Sequence, residues 1–158
     1  MTTEGHICFA ISNIILIKKI KLIHDIASGD WWHVILGSLI TCLLPDIDHP
    51  KSFIGKRFKW LSVPIYKLFG HRGFTHSLLL IVMIIIYINV RKVSIPIDVV
   101  YAMIIGYISH IIADVLTPAG IPLFWPYNKK FSIPIIKKSN IRLERLISII
   151  IIICAIQY

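Results

Sequence analysis

Acid is what this chain lacks most: eight Asp and Glu stand against 17 Lys and Arg, a formal net charge of +9. In a soluble domain that imbalance would point to nucleic acid. Here 56% of the residues are hydrophobic and the mean hydropathy is +0.78. Those values argue for a membrane protein, in which excess base marks cytoplasmic loops and contact with anionic lipid. No element that reads bases is visible, so no nucleic-acid partner is expected. Cysteine is scarce as well. Cys8, Cys42 and Cys154 sit singly in apolar runs, which excludes a disulfide framework and a thiolate zinc site and leaves small buried hydrophobes. Gly-x-Ser-x-Gly and P-loop patterns are absent, so a serine nucleophile and a nucleoside triphosphate have no support. The start, MTTEGHICFA, lacks a basic n-region and a small-residue cleavage site, with Glu4 and His6 where lysines would stand. It is expected to be retained.

What is present is apolar and helical in pattern. Isoleucine makes up roughly a quarter of the 158 residues, far above average usage. The length fits one integral membrane helical domain over 1–158. Ile7–Ile17 is short for a span, and reaches one only by taking in Lys18–Ile23 with snorkelling lysines; a re-entrant or half-buried helix competes. Asp30 is placed to cap the next run, Trp32–Leu44, behind an interfacial Trp31-Trp32 pair, and Pro45 ends it. Lys51–Gly70 mixes Lys51, Lys56, Arg57, Lys59 and Lys67 with aromatic residues and suits the headgroup region. Phe74–Val90, closed by Arg91 and Lys92, reads as a span, as does Ile97–Leu116; Leu146–Ile156 is the last apolar run. The fold class is all-α: a multi-pass transmembrane bundle of four or five spans with short interfacial helices.

Charge then sets topology. The two long connectors, 45–73 and 118–145, hold most of the Lys and Arg and should face the cytoplasm. The short 91–96 link then faces outward, and so must the 18–30 link despite its three lysines. Under this topology every set of metal-capable residues falls on one side: His6; Asp46, Asp48 and His49; His71 and His76; His110 and Asp114. Scattered core histidines would have no reason to segregate in this way. His110 and Asp114, four apart, share a helix face. Asp46-x-Asp48-His49 offers two hard oxygen donors and an imidazole just after a helix end, and Gly73 lets the backbone approach closely between His71 and His76. Mixed His/Asp ligation without cysteine suits zinc, manganese or iron(II), with room for two ions. Such a site suits phosphoester hydrolysis. Asp46 or Asp48 would take the attacking proton, and Arg72 could hold a phosphate bidentately. His24 and His33 fall outside the cluster and read as structural or interfacial.

Five stretches carry a resemblance: TEGH at the N-terminus, GDWWH at 29–33, TCLLPDIDHPKS at 41–52, GHRGFTHSLL at 70–79 and GYISHIIADVLTPAGIPLFWP at 106–126. Together they resemble the YdjM-type family of bacterial inner-membrane proteins, labelled membrane-bound, metal-dependent hydrolases and described as LexA-regulated. The resemblance implies a multi-pass inner-membrane protein with a metal site on His6, Asp46, Asp48, His49, His71, His76, His110 and Asp114. It implies a reaction class but no substrate. Family members continue into a longer basic tail, whereas this sequence stops at Tyr158. The expectation is therefore a cytoplasm-facing, metal-dependent hydrolase, zinc first among the metals, with membrane lipids as partners and a lipid or other phosphoester as substrate. The alternatives are a non-enzymatic membrane module with a structural or sensing metal site, and a divalent-metal transporter.

Overall fold

The computed structural model describes residues 1–91, 94–135 and 140–157. Lys92, expected to close a span with Arg91, and 136–139 of the second basic connector lie outside the described residues. Helix α1 spans Thr3–Lys19, where the Thr2 side chain accepts from the Gly5 N–H, Glu4 sits in the first turn, and Lys18 and Lys19 in the last. A short α2 (His24–Ser28) and α3 (Trp31–Thr41) follow. Asp30 stands at the N-cap of α3, although its side chain makes no capping bond. Pro45 opens a 3-10 turn, Leu44–Asp48, so the chain tightens where the α-helix stops. Then come α4 (Phe53–Arg57) and α5 (Lys59–Phe69), which ends at Gly70 with φ +71°. A second 3-10 turn, Phe74–His76, leads into α6 (Leu78–Arg91), followed by α7 (Ile97–Val115) and α8 (Ile141–Gln157). Among the described residues there is no strand, only one antiparallel bridge between Ile121 and Phe131. The protein is all-helical.

Span lengths differ from the sequence expectation. Among the described residues only α7, with 19 residues, is long and apolar enough to cross a membrane by length and composition. At 1.5 Å per residue it reaches about 28 Å, close to a hydrocarbon core of about 30 Å. The segment Phe74–Val90, expected to be one span, instead gives its first residues to the 3-10 turn and leaves α6 with 14. The reason is a tertiary contact. Thr75 and His76 both turn onto Asp48, and Ser77 bonds back to the Phe74 carbonyl at 2.7 Å. Lys18 does not snorkel either. Its ammonium is buried and donates to the carbonyls of Ile26, Ala27 and Gly29 at 2.8, 3.1 and 2.5 Å, tying α1 to α2 and its flank.

Helix α7 is the axis of the structure, packed against α3 and α1, with α8 laid along the far side of α1. Ile14, Ile26, Val34, Ala102 and Ile105 form the core where α1, α2, α3 and α7 meet. The α3–α7 crossing is close because glycine sits in it. A Cβ on Gly106 would stand 2.2 Å from the Ser38 carbonyl oxygen, and one on Gly37 would stand 3.1 Å from the Ala102 Cβ. Into that gap Thr41 sends its hydroxyl, 2.7 Å from the Met103 carbonyl. The crossing brings the C-terminal ends of α3 and α7 together with the two 3-10 turns, and the candidate ligands other than His49 gather there. We expect Gly106→Ala to lower the unfolding midpoint in detergent by the equivalent of about 1–3 kcal/mol, the usual cost of overpacking. Gly37→Ala, which meets a milder contact, should cost less. Equal or negligible shifts would contradict the crossing.

Candidate metal centre

Two histidines define the centre, and their hydrogen bonds fix what each nitrogen carries. His110, fully buried on α7, has Nδ1 2.6 Å from the Cys42 carbonyl oxygen. A carbonyl only accepts, so Nδ1 holds the proton and Nε2 is left a lone pair. His76, fully buried in the second 3-10 turn, has Nδ1 3.1 Å from Asp48 Oδ2. It is oriented in the same way, as carboxylates orient metal-binding imidazoles. The two Nε2 atoms then face each other at 3.2 Å. Asp114 Oδ2 lies 3.6 Å from His76 Nε2 and 3.9 Å from His110 Nε2, and Asp46 Oδ1 lies 3.9 and 3.7 Å from the same two atoms. Four acceptors converge with no proton donor among them. Such a cluster is repulsive unless a cation or proton occupies its middle. Ligand bonds of roughly 2.0–2.2 Å in a tetrahedron give edges of about 3.3–3.6 Å, so the donor set fits a zinc-sized divalent ion.

Asp48 organises the second row. It is fully buried, and all its partners come from the loop that carries His76. His71 Nδ1 lies 2.9 Å from Oδ1, while the Arg72 backbone N–H and the Thr75 hydroxyl donate to Oδ2 at 2.9 and 2.5 Å. Burial pushes its carboxyl up, but hydrogen bonds from His71, His76 and Thr75 outweigh that and hold it well below the usual carboxylate range. Tyr107 extends the support by donating its hydroxyl to the Thr75 carbonyl. Arg72 adopts φ +60°, rare for a side chain of its size. Its N–H bond to Asp48 holds the backbone there.

Asp114 divides its two oxygens. Oδ2 faces the histidines, while Oδ1 receives Arg72 Nη2 and the Met1 amino group, each at 2.9 Å, with His6 Nε2 at 3.5 Å. His6 stacks on His110 with ring centroids 3.8 Å apart, and its buried Nδ1 has no hydrogen-bond partner among the described residues. His6, His110 and Asp114 thus form a second ligand-capable group behind the first, and Asp46, Asp48 and His71 a third toward the surface. Openness grades across the set. The side chains of His76, His110 and Asp114 are at most 1% exposed, whereas that of Asp46 is 20% exposed and that of His71 33%.

Of the residues the sequence singles out, His6, Asp46, Asp48, His71, Arg72, His76, His110 and Asp114 gather at this end of the molecule. His49 does not join a ligand group among the described residues. Its ring packs 4.6 Å from that of His71, and its Nδ1 accepts the Lys51 N–H. Burial lowers its pKa, helped by neighbouring His71. His33 lies at the other end of α3, 3.1 Å from Asp98. Thr75, Tyr107, the Cys42 carbonyl and the Met1 amine escape a sequence reading. Only Thr75, a polar residue beside His76 in an apolar run, carried any signal.

The chain belongs to the YdjM inner membrane protein family, whose sequence model matches residues 1–157. It is 51% identical to the inner membrane protein YdjM of Escherichia coli (strain K12) over 152 residues, 93% of this chain and 77% of that protein. The same figures hold for YdjM of Shigella flexneri. A protein of Bacillus subtilis (strain 168), named as uncharacterized protein YvsG, is 37% identical over 112 residues, 68% of this chain and 66% of that protein. No solved structure matches.

Asp48→Asn puts an amide nitrogen among groups that donate to Asp48 and should lower the thermal midpoint. The sign of its pH dependence follows from the depressed carboxyl. Such a group adds stability above its unfolded value, roughly 3.9, and loses it as pH falls toward the folded value. The gap between wild type and Asp48→Asn should be full at pH 6–7 and narrow below about pH 4. Melting curves showing a constant gap would contradict the assignment.

Proposed function

We propose that this member of the YdjM inner membrane protein family is a multi-pass membrane hydrolase with a divalent-metal centre that cleaves a phosphoester at the cytoplasmic face. The observation that carries the reading is the proton-free convergence of His76, His110 and Asp114 beside a carboxylate, Asp46, that stays open to solvent. Structural metal sites are closed, whereas catalytic ones take three protein ligands and leave a position free. His76, His110 and Asp114 would hold the ion, zinc, or manganese or iron(II), which the same donor types accept. When bound, such an ion supplies Lewis acidity toward a phosphoryl oxygen and lowers the pKa of water.

The chain's own groups divide the remaining work. In hydrolysis the water oxygen bonds to phosphorus as the ester P–O bond breaks. One water proton passes to Asp46 and from there to the departing alkoxide. Asp46 suits the task because it is the least buried of the three carboxylates, whereas every direction around Asp48 is taken. Asp48 is therefore a positioning residue. Arg72, anchored by Nη2 on Asp114, keeps its Nε unpaired among the described residues and can steady phosphoryl oxygens.

Membrane placement rests on exposed apolar faces: Leu36 and Ile40 on α3, Val82, Met83 and Ile86 on α6, Ile149, Ile150 and Ile153 on α8. Helices α1 and α8, 17 residues each, reach about 26 Å, within what local bilayer thinning accommodates. The basic α4–α5 segment lies at the same end as the candidate ligands, which supports a cytoplasmic placement of that end.

Metal analysis of protein purified in detergent should find about one equivalent of zinc, manganese or iron, lost in His76→Ala and His110→Ala. Asp46→Asn should keep the ion while kcat on bis(p-nitrophenyl) phosphate falls roughly 10²–10⁴-fold. A well-folded wild type without stoichiometric metal would sink the hydrolase reading. Loss of the ion in Asp46→Asn would make Asp46 a ligand instead of the proton acceptor.

A further inference from the structure

Behind the metal centre lies a cavity of about 330 Å³, bounded by α5, α6, α7 and both 3-10 turns. Its wall includes Ile47, Phe69, Thr75, Leu80, Ile84 and Tyr107. Among the described residues Thr75 and Tyr107 bring the only side-chain hydroxyls to that wall, and both are already committed, one to Asp48 and the other to the Thr75 carbonyl. A water there would lack the two to four polar partners it needs, and a polar ligand would be left unsatisfied. The chemistry that fits is hydrocarbon.

The cavity and the centre share their residues. Ile47 sits between Asp46 and Asp48, Thr75 directly precedes His76, and Tyr107 stands one helical turn before His110. The α5 wall continues outward into exposed Lys59, Trp60, Tyr66, Lys67 and Leu68, next to the exposed Lys56 and Arg57 of α4. Lysines and aromatics on an amphipathic helix hold a protein at a headgroup layer, and this basic excess favours anionic lipid. Arg72, three residues before Thr75 in the same loop, keeps a buried Nε without a hydrogen-bond partner among the described residues.

We infer that the substrate is an anionic glycerophospholipid. One of its acyl chains occupies the cavity between α5, α6 and α7, and its phosphodiester is presented to Asp46 and Arg72. This rests on the hydrolase reading for turnover, but the lipid site itself can be read without turnover.

The test uses the purified protein with phosphatidylglycerol carrying a diazirine midway along one acyl chain. Photolysis and peptide mapping should place the label on cavity residues such as Phe69, Leu80 and Ile84. Unlabelled phosphatidylglycerol should compete well and zwitterionic phosphatidylethanolamine poorly. Ile84→Trp should cut cavity labelling roughly tenfold or more, the discrimination a hydrophobic pocket shows against steric misfit, while metal content stays at the wild-type level. Leu80→Phe serves as a milder intrusion should the tryptophan variant misfold. Label confined to the outward face of α6, at Val82 and Ile86, would mean an annular lipid only and would overturn the proposal. Equal competition by both lipids would overturn the anionic assignment. Cavity labelling in a protein that neither holds metal nor hydrolyses would uphold the lipid site and sink the hydrolase reading.

Discussion

A carboxylate with no access to water must find its partners in the chain, and Asp48 finds all of its own in the segment 71–76. Much follows from that single burial. The segment is pulled out of the helix that its apolar composition would otherwise begin early, so α6 starts only at Leu78. Arg72 is held at a positive φ that a bulky residue avoids. His76 is turned so that its protonated nitrogen points at Asp48 and its lone pair at His110. Removing the charge would release the loop as well as one contact, because two of its donors, Thr75 and His76, are buried too.

This explains what the sequence could and could not tell. The all-helical class was legible, because long isoleucine-rich runs punctuated by Pro45 and basic clusters leave little else. The grouping of His76, His110 and Asp114 at one end followed from charge topology and from the four-residue spacing of the last two. Helix lengths were not legible. Hydropathy counts Phe74–Ser77 as membrane-like, whereas the side chains of Thr75 and His76 bond to a polar anchor 27 and 28 residues back, and no periodicity reports such a long-range bond. The two parts of Asp46-x-Asp48-His49 were also indistinguishable in sequence. A 3-10 turn, unlike a helix, sends Asp46 toward the histidines and Asp48 into the loop, and leaves His49 at the edge.

The close α3–α7 crossing is the other precondition. His110 reaches the Cys42 carbonyl because Gly37 and Gly106 let the two helices approach. With larger residues there, the carbonyl would retreat and His110 would lose the acceptor that fixes its tautomer. Small residues at a helix contact are a packing device in membrane proteins. Here they also decide which nitrogen of a histidine is free to bind an ion, so packing and chemistry are set by the same contact.

Three aspartates then illustrate how one side chain takes three roles through environment alone. Asp48 is saturated with donors and closed to solvent, so it can orient its neighbours but has no open oxygen with which to exchange a proton. Asp114 is split, one oxygen neutralised by Arg72 and the Met1 amine and the other aimed at the imidazoles, which suits a ligand whose charge must be partly offset in a buried place. Asp46 approaches the same imidazoles from the solvent side with no cation against it at bonding distance among the described residues. A proton acceptor needs access, an unoccupied oxygen and a seat beside the reacting atoms. Of the three, only Asp46 meets the conditions that the proposed hydrolysis sets, and it does so where the apolar cavity and the candidate metal centre adjoin, with Ile47 on the cavity side of the same turn.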